Sequence, residues 1–362
     1  MYFYLPTKVF FSDRVLEKHG LEFTKYGTKA LLVTGQSSAR KSGVLKDLFA
    51  LLSNLNFKYC IFDQVTENPD LSIITKGADF CIHNQCDMII AIGGGSSLDA
   101  GKAISLMSAN NLESTELYSS LLYQKALPII AIPTTSGTGS EVTQYCVLNN
   151  AKNNIKAGFG HELMMPKIAF LDPQYTLTLP YITTRDTAID ALSHLLEGLY
   201  SRKYSEFLLP FILSGAKLIY DHLQSCLSDL QNLYHRKALM LAANYGGIVI
   251  AHSSTTLQHA IGYPLTTEYG LTHGLANGVV MKMIMQLFKP SVEERLNLLF
   301  HYLNTSESKF LSWLELLDIK FNGNITEEFL QNRVPEVMNS RNMAFNPFTV
   351  TENQVIYLYR NL

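Results

Sequence analysis

The chain has 362 residues, of which 47% are hydrophobic and 17% charged, with a net charge of −2 at pH 7. This is the composition of a folded protein longer than one core usually fills, so two domains are expected. The balanced charge, without a long basic run, argues against nucleic acid and against an anionic membrane surface as partners. No apolar run reaches the roughly 18 residues of a membrane span, and the opening "MYFYLPTKVFFSDRVLEKHG" is not patterned as a signal peptide. Five cysteines at 60, 81, 86, 146 and 226 form no CxxC pair, which predicts reduced thiols in a cytoplasmic protein.

The first half alternates short apolar runs with helical patterns. Strands are expected over 29–35, 57–65, 87–95, 127–135 and 167–173, and helices over 44–55, 70–84 and 97–107. Such alternation predicts an α/β domain with a mainly parallel sheet covered by helices. Beyond about residue 180 the pattern becomes helical throughout. "LDPQYTLTLP" (171–180) carries two prolines and is the expected junction. The domains read as 1–178, α/β and dinucleotide-binding, and 179–362, all-helical, with a ligand cleft between them. The tail reads as a closing helix with a Thr349–Glu352 capping-box pattern.

Three stretches of the α/β half suit a phosphorylated ligand. In "VTGQSSARKSG" (33–43), Gly35 stands where such a strand usually ends in an acid that accepts from a ribose 2′-hydroxyl. Two like charges about 4 Å apart repel by about 1–4 kcal/mol, so losing that acid admits a 2′-phosphate. Ser37, Ser38, Arg40 and Lys41 follow as partners for it, which predicts NADP(H) in preference to NAD(H). "IAIGGGSSLDAGK" (91–102) is a strand, three glycines and a helix start, which suits a phosphate or pyrophosphate at the helix N-terminus. It lacks a plain GxGxxG and follows the third expected strand, so an ordinary Rossmann domain is not expected. "IPTTSGTGSEVT" (132–143) offers a hydroxyl-rich loop that either lines a cofactor or is simply polar.

In the helical half, "TTRDTAIDALSHLLEGLYSRK" (183–203) reads as a helix with a Thr183–Asp186 capping-box start. Ile189, Leu192, Leu196 and Leu199 form one stripe, and Asp190, His194 and Glu197 fall on the opposite face. That face lacks Lys and Arg until Arg202, as the wall of a cleft would. "TTLQHAIGYPLTTEYGLTHGLANG" (255–278) adds His259 and His273. One carboxylate and three imidazoles are a donor set for a divalent transition metal, although spacing alone leaves it open whether they meet.

Together, "GGGSSLDAGKA", "IPTTSGTGSEVT", "FLDP", "DALSHLLEGLYSRK" and "HAIGYPLTTEYGLTHGLANG" make the whole chain resemble the iron-containing (group III) alcohol dehydrogenases. These have a dehydroquinate synthase-like fold, a Rossmann-like variant followed by an all-helical domain. The resemblance implies Asp190, His194, His259 and His273 as ligands of Fe2+, or of Zn2+ in some members. It puts the cofactor pyrophosphate on Gly94, Gly95, Ser96 and Ser97, with Asn68, Thr134, Thr135, Thr138, Thr143 and Lys156 as further contacts. Gly35 replaces the aspartate of NAD-preferring members. Two positions depart from the family pattern: Tyr263 replaces a histidine suited to proton transfer, and Tyr145 stands where Asn is frequent. The implied activity is reversible hydride transfer between NADPH and a small aldehyde, in a cytoplasmic homodimer. The alternatives are a dehydroquinate synthase-like lyase, disfavoured by the shortage of Lys and Arg beside the metal helices, and a reductase of a small functionalised aldehyde such as a phosphonate-bearing one.

Overall fold

The computed structural model describes residues 3–110, 112–150 and 155–362; at 120, 150 and 155–157 it describes the backbone alone. The chain divides into two compact units, one of residues 4–179 and 230–240, the other of residues 3, 180–229 and 241–362 among those described.

The first unit is built on six parallel strands: β1 (Lys8–Phe11), β2 (Lys29–Gly35), β3 (Lys58–Val65), β4 (Met88–Gly93), β5 (Ile129–Pro133) and β8 (Ile168–Leu171). They lie in the order β1-β8-β5-β4-β2-β3. The remaining two, β6 (Tyr145–Asn150) and β7 (Ile155–Gly160), form an antiparallel pair. Every residue of β4 is buried, as expected of a strand covered on both faces. Alternate residues feed two cores. Leu31, Val33, Ile89, Ala91 and Ala131 meet Ile74, Ala103 and Ile104 of helices Leu71–His83 and Gly95–Asn110 on one face. On the other, Ala30, Leu32, Ile90, Ile92 and Ile130 meet Val44, Leu45 and Leu48 of helix Val44–Asn54. The period of two in the strands thus becomes two layers of helix.

Strand β1 and the β6–β7 pair were not expected from the sequence. Chain direction reverses across the sheet: β2 leads outward to β3, whereas β4 leads to β5 on the opposite side. The carboxyl ends of β2 and β4 therefore flank a topological switch point, where open α/β sheets bind ligands.

The second unit is helical. Its helix Tyr181–Tyr200 packs against Leu209–Ser228 and His273–Tyr302. From Thr184 to Tyr200 only Thr187 is not fully buried, so neither face of this helix is solvated. Its start also differs from expectation: Pro180 is the N-cap and no side chain caps it, while Thr183 lies inside the helix and its carbonyl accepts from Thr187. Proline cannot donate and has a fixed φ, so it begins the helix two residues before the Thr183 signal. The closing helix Glu352–Arg360 does have a capping box, formed by Thr351 and Gln354 rather than Thr349 and Glu352. No helix among the described residues is long and apolar enough to cross a membrane.

Lys102 joins the pieces around the switch point. Its fully buried ammonium donates to Ser140 Oγ (2.6 Å), Thr143 Oγ1 (3.1 Å) and the Tyr145 carbonyl (2.8 Å). Asp99, one turn earlier, accepts from Ser140 Oγ at 2.6 Å and from the Val147 N–H at 2.9 Å. Burial lowers the Lys102 pKa, opposed by the nearby acids Asp99 and Glu141 and by Cys146. Lys102→Met keeps the volume and strands these acceptors, so a loss of roughly 2–4 kcal/mol is expected. Thermal melting checks it, and an unchanged Tm would remove Lys102 from this role.

Candidate metal centre and nucleotide-binding edge

Parallel strands bring their carboxyl ends to one edge, and the glycine-rich and hydroxyl-rich segments all follow such ends. Gly93 has φ +139°, a conformation open to glycine. A side chain at Gly94 would come within 3.2 Å of Thr135, and one at Gly95 within 2.6 Å of Thr138, so bare backbone faces the threonine loop. The Asn68 N–H donates to Ser96 Oγ at 3.2 Å, drawing the loop after β3 to the same place. Gly35 lies here too, its missing Cβ about 4.0 Å from Ser97 Oγ. Helix Gly95–Asn110 begins at this edge, with its first N–H groups available to an anion.

Most sequence-selected cofactor residues therefore come together: Gly35, Asn68, Gly94, Gly95, Ser96, Ser97, Thr134, Thr135 and Thr138. Thr134 continues β5, its N–H donating to the Gly93 carbonyl at 2.9 Å, and is itself buried. Thr143 differs: it is 2% exposed and its hydroxyl accepts from Lys102, so it serves the scaffold of the edge. Ser37, Ser38 and Lys41 are exposed just beyond β2, Ser38 and Lys41 on the short helix Ser38–Lys41. Arg40 lies 3.5 Å from the Asp63 carboxylate. Lys156 is on β7, and its side chain lies outside the described residues.

In the helical unit, three elements deliver the polar cluster. Asp190, His194 and Glu197 share one face of helix Tyr181–Tyr200. His259 is the third residue of helix Leu257–Tyr269, and His273 is the first of His273–Tyr302. A Cβ at Gly274 would stand 1.8 Å from the Asp186 carbonyl, so only glycine lets the third helix approach the first this closely beside His273.

Asp190, His259 and His273 converge, and His194 reaches the first two of them. Asp190 Oδ1 lies 3.8, 3.7 and 3.6 Å from the Nε2 atoms of His194, His259 and His273, and His194 Nε2 lies 3.1 Å from His259 Nε2. The ligating atoms of Asp190, His259 and His273 all fall within 4.8 Å of one another. Ligands at about 2.1 Å from a tetrahedral ion would stand about 3.4 Å apart, the scale found here.

Glu197 determines how His259 enters the set. Its Oε1 accepts from the Thr256 N–H (2.6 Å), the Thr256 hydroxyl (2.8 Å) and the His259 N–H (3.3 Å). Its Oε2 accepts from His259 Nδ1. Nδ1 then carries the proton, and the Nε2 lone pair faces Asp190 and the other imidazoles, as a metal-ligating histidine requires. Burial pushes the Glu197 carboxyl up, but His259 and Thr256 outweigh it and hold the pKa below the usual range. Burial acts on Asp190 likewise, and attraction to His194, His273 and His259 when these are protonated, together with the Asn277 amide, overcomes it to hold the carboxyl at about 2. A fixed anion and imidazole nitrogens facing one point fit a divalent transition metal of borderline softness.

Two residues near the centre are settled by their contacts. Arg185 directs its guanidinium to Asp186 and to the carbonyls of Leu317 and Asp318. The Tyr263 ring stacks on His273 with centroids 5.6 Å apart and planes 8° from parallel. Sequence reasoning missed Asn277, whose Nδ2 lies 3.0 Å from Asp190 Oδ1; its position four residues after His273, on one helix face, was the available signal. Lys102 and Thr256 were missed as well, the first because a lysine ordinarily reads as surface.

Glu197→Gln leaves the fold's shape but weakens the hold on His259. Divalent-cation affinity is expected to fall about 10–100-fold by chelator competition. Unchanged affinity would show that Glu197 only caps its helix.

Comparison with known proteins gives the family and the fold. A model described as "Iron-containing alcohol dehydrogenase" matches residues 6–173, and one described as "Fe-containing alcohol dehydrogenase family, C-terminal" matches 184–362. The chain is 30% identical over 281 residues to NADH-dependent butanol dehydrogenase A of Clostridium acetobutylicum, covering 76% of this chain and 72% of that one. The crystal structure of an iron-containing alcohol dehydrogenase from Thermotoga maritima superposes with a TM-score of 0.94 at 36% identity, covering 99% and 98%. Sulfoacetaldehyde reductase from Bifidobacterium kashiwanohense, solved with NAD+, superposes with a TM-score of 0.89 at 25% identity, covering 100% and 98%.

Proposed function

The chain belongs to the iron-containing alcohol dehydrogenase family, and on that footing we propose that it interconverts a small aldehyde and its alcohol with NADP(H) in preference to NAD(H). Asp190, His194, His259 and His273 would hold the divalent ion, Fe2+ before Zn2+. The convergence of their donor atoms carries the reading.

When bound, the ion supplies Lewis acidity toward a carbonyl oxygen, and the nicotinamide carries the hydride. The chain's own residues do the rest. Asp190 provides a permanent negative charge, and Glu197 keeps the His259 lone pair available. Gly94, Gly95 and Ser96 present backbone N–H groups, and Ser96 and Ser97 hydroxyls, to the cofactor pyrophosphate. Gly35 leaves the ribose side without a carboxylate, and Ser37, Ser38 and Lys41 supply donors for a 2′-phosphate, with Arg40 shared with Asp63. Tyr263, stacked on His273, would deliver a proton from its Oη to the product oxygen. The absence of a disulfide among the five cysteines accords with the proposed cytoplasmic residence, and a homodimer completes the proposal.

Anaerobic turnover of short aldehydes by Fe2+-loaded protein tests the reading. NADPH is expected to give a kcat/KM at least about tenfold above NADH, a difference of about 1.4 kcal/mol; equal or reversed use would overturn the NADP(H) preference. No turnover of any aldehyde would overturn the dehydrogenase reading. Gly35→Asp is expected to cost NADPH about tenfold or more while sparing NADH, through like-charge repulsion. Tyr263→Phe is expected to lower kcat about 100-fold with little change in the aldehyde KM; an unchanged kcat would move proton delivery to water.

A further inference from the structure

Asn277 is completely buried, one turn after His273 on the same helix. Its Nδ2 lies 3.0 Å from Asp190 Oδ1, 3.1 Å from His259 Nε2 and 3.3 Å from His273 Nε2. The neighbours define which end of the amide faces inward. Turned the other way, Oδ1 would oppose a carboxylate oxygen and an imidazole lone pair already fixed by Glu197. Two amide hydrogens cannot serve three acceptors, and the charged carboxylate makes the strongest claim on them.

The outward end agrees. Asn277 Oδ1 has no hydrogen-bond partner among the described residues, although it is buried. A leucine would fill this volume without stranding an acceptor, so packing alone does not explain an amide here. Space for Oδ1 comes from Gly262, in the helix that bears His259: a Cβ there would stand 2.2 Å from it. Glycine inside a helix is locally unfavourable, and Gly262 needs no unusual φ. The Asn277 main chain is also tied down, its carbonyl accepting from Gln258 Nε2 at 2.8 Å.

We infer that Asn277, seated in the gap left by Gly262, is a positioning residue of the metal centre that holds the Asp190 carboxylate against the imidazoles of His259 and His273. The inference rests on the metal-binding reading of those ligands. The two residues then act jointly, since the glycine makes room for the amide and the amide holds the carboxylate.

Co2+ reports on such a site without reference to turnover, through its visible absorption and its affinity measured by chelator competition. Asn277→Leu is expected to weaken Co2+ binding about tenfold or more, on the scale of other groups that orient metal ligands, and to shift the visible bands. Gly262→Ala, which leaves Asn277 in place, is expected to do the same. In an Asn277→Ala background, adding Gly262→Ala is expected to change neither quantity further, so the double-mutant cycle is strongly coupled. If Asn277→Leu does not fold, the Gly262→Ala and Asn277→Ala arms still decide. Variants that lose thermal stability but bind Co2+ with wild-type affinity and spectrum would overturn the inference, as would additive effects of the two substitutions. Failure of wild-type protein to bind Co2+, or binding that survives Asp190→Ala, would instead overturn the metal-centre reading beneath it.

Discussion

The centre depends on a buried carboxylate placed at the start of a helix. Glu197 is fully buried, and an unpaired charge there would be prohibitive. It is tolerated because the Thr256 and His259 N–H groups, at the start of helix Leu257–Tyr269, need an acceptor, and because the His259 ring nitrogens need to be told apart. One side chain meets both needs, so the event that begins this helix also aims the His259 ring. The helix dipole explains why an acid is suitable: two helices start beside this cluster, at Leu257 and at His273, and positive helix ends would oppose a cation unless anions stood nearby. Glu197 answers for the first. Asp186, accepting from the Thr272 hydroxyl at 2.5 Å, answers for the second.

The α/β unit solves its own positioning problem by topology. Gly35, Asn68, Gly94 and Thr135 come from four different strand–helix connections, yet parallel pairing brings the strand ends to one edge and the reversal after β3 opens a gap there. Close approach of backbone to a ligand then follows from the absence of side chains at Gly94 and Gly95. The residues proposed to set charge preference lie elsewhere, at the end of β2, so on that proposal phosphate grip and cofactor choice would be separable properties of one edge.

Much of this was legible in the sequence, for identifiable reasons. The central strands are continuous apolar runs, and the helices between them have strong periodicity, so their existence and order follow from pattern alone. The family resemblance named four scattered candidate ligands that spacing could not gather. Other features were illegible because they depend on partners distant in the chain. Strand β1, with Lys8 and Val9 exposed, lacks the apolar run of a central strand and exists by pairing with β8. The Thr183 capping pattern was a sound local signal overridden by Pro180. Helix Tyr181–Tyr200 reads as amphipathic, yet its polar face is buried, because its charges are matched by Thr256, Asn277 and the histidines, three of these five partners lying more than 60 residues away. A buried Lys102 is likewise unreadable without the loop it holds.

That lysine has a thermodynamic consequence for ligand binding. Ser140, Thr143 and the Tyr145 carbonyl are bonded to the same helix whose N-terminus faces the switch point, so loop and helix form one stiff body before any cofactor arrives. A loop already ordered loses little conformational freedom when it closes on a ligand, and the free energy of its contacts appears in affinity rather than being offset by ordering. Exchange of a nucleotide bound at this edge, as proposed, would then depend on breaking phosphate contacts, with no slow folding of the loop to wait for. A charge sealed in the interior would in this way leave the loop ready for a ligand before one arrives.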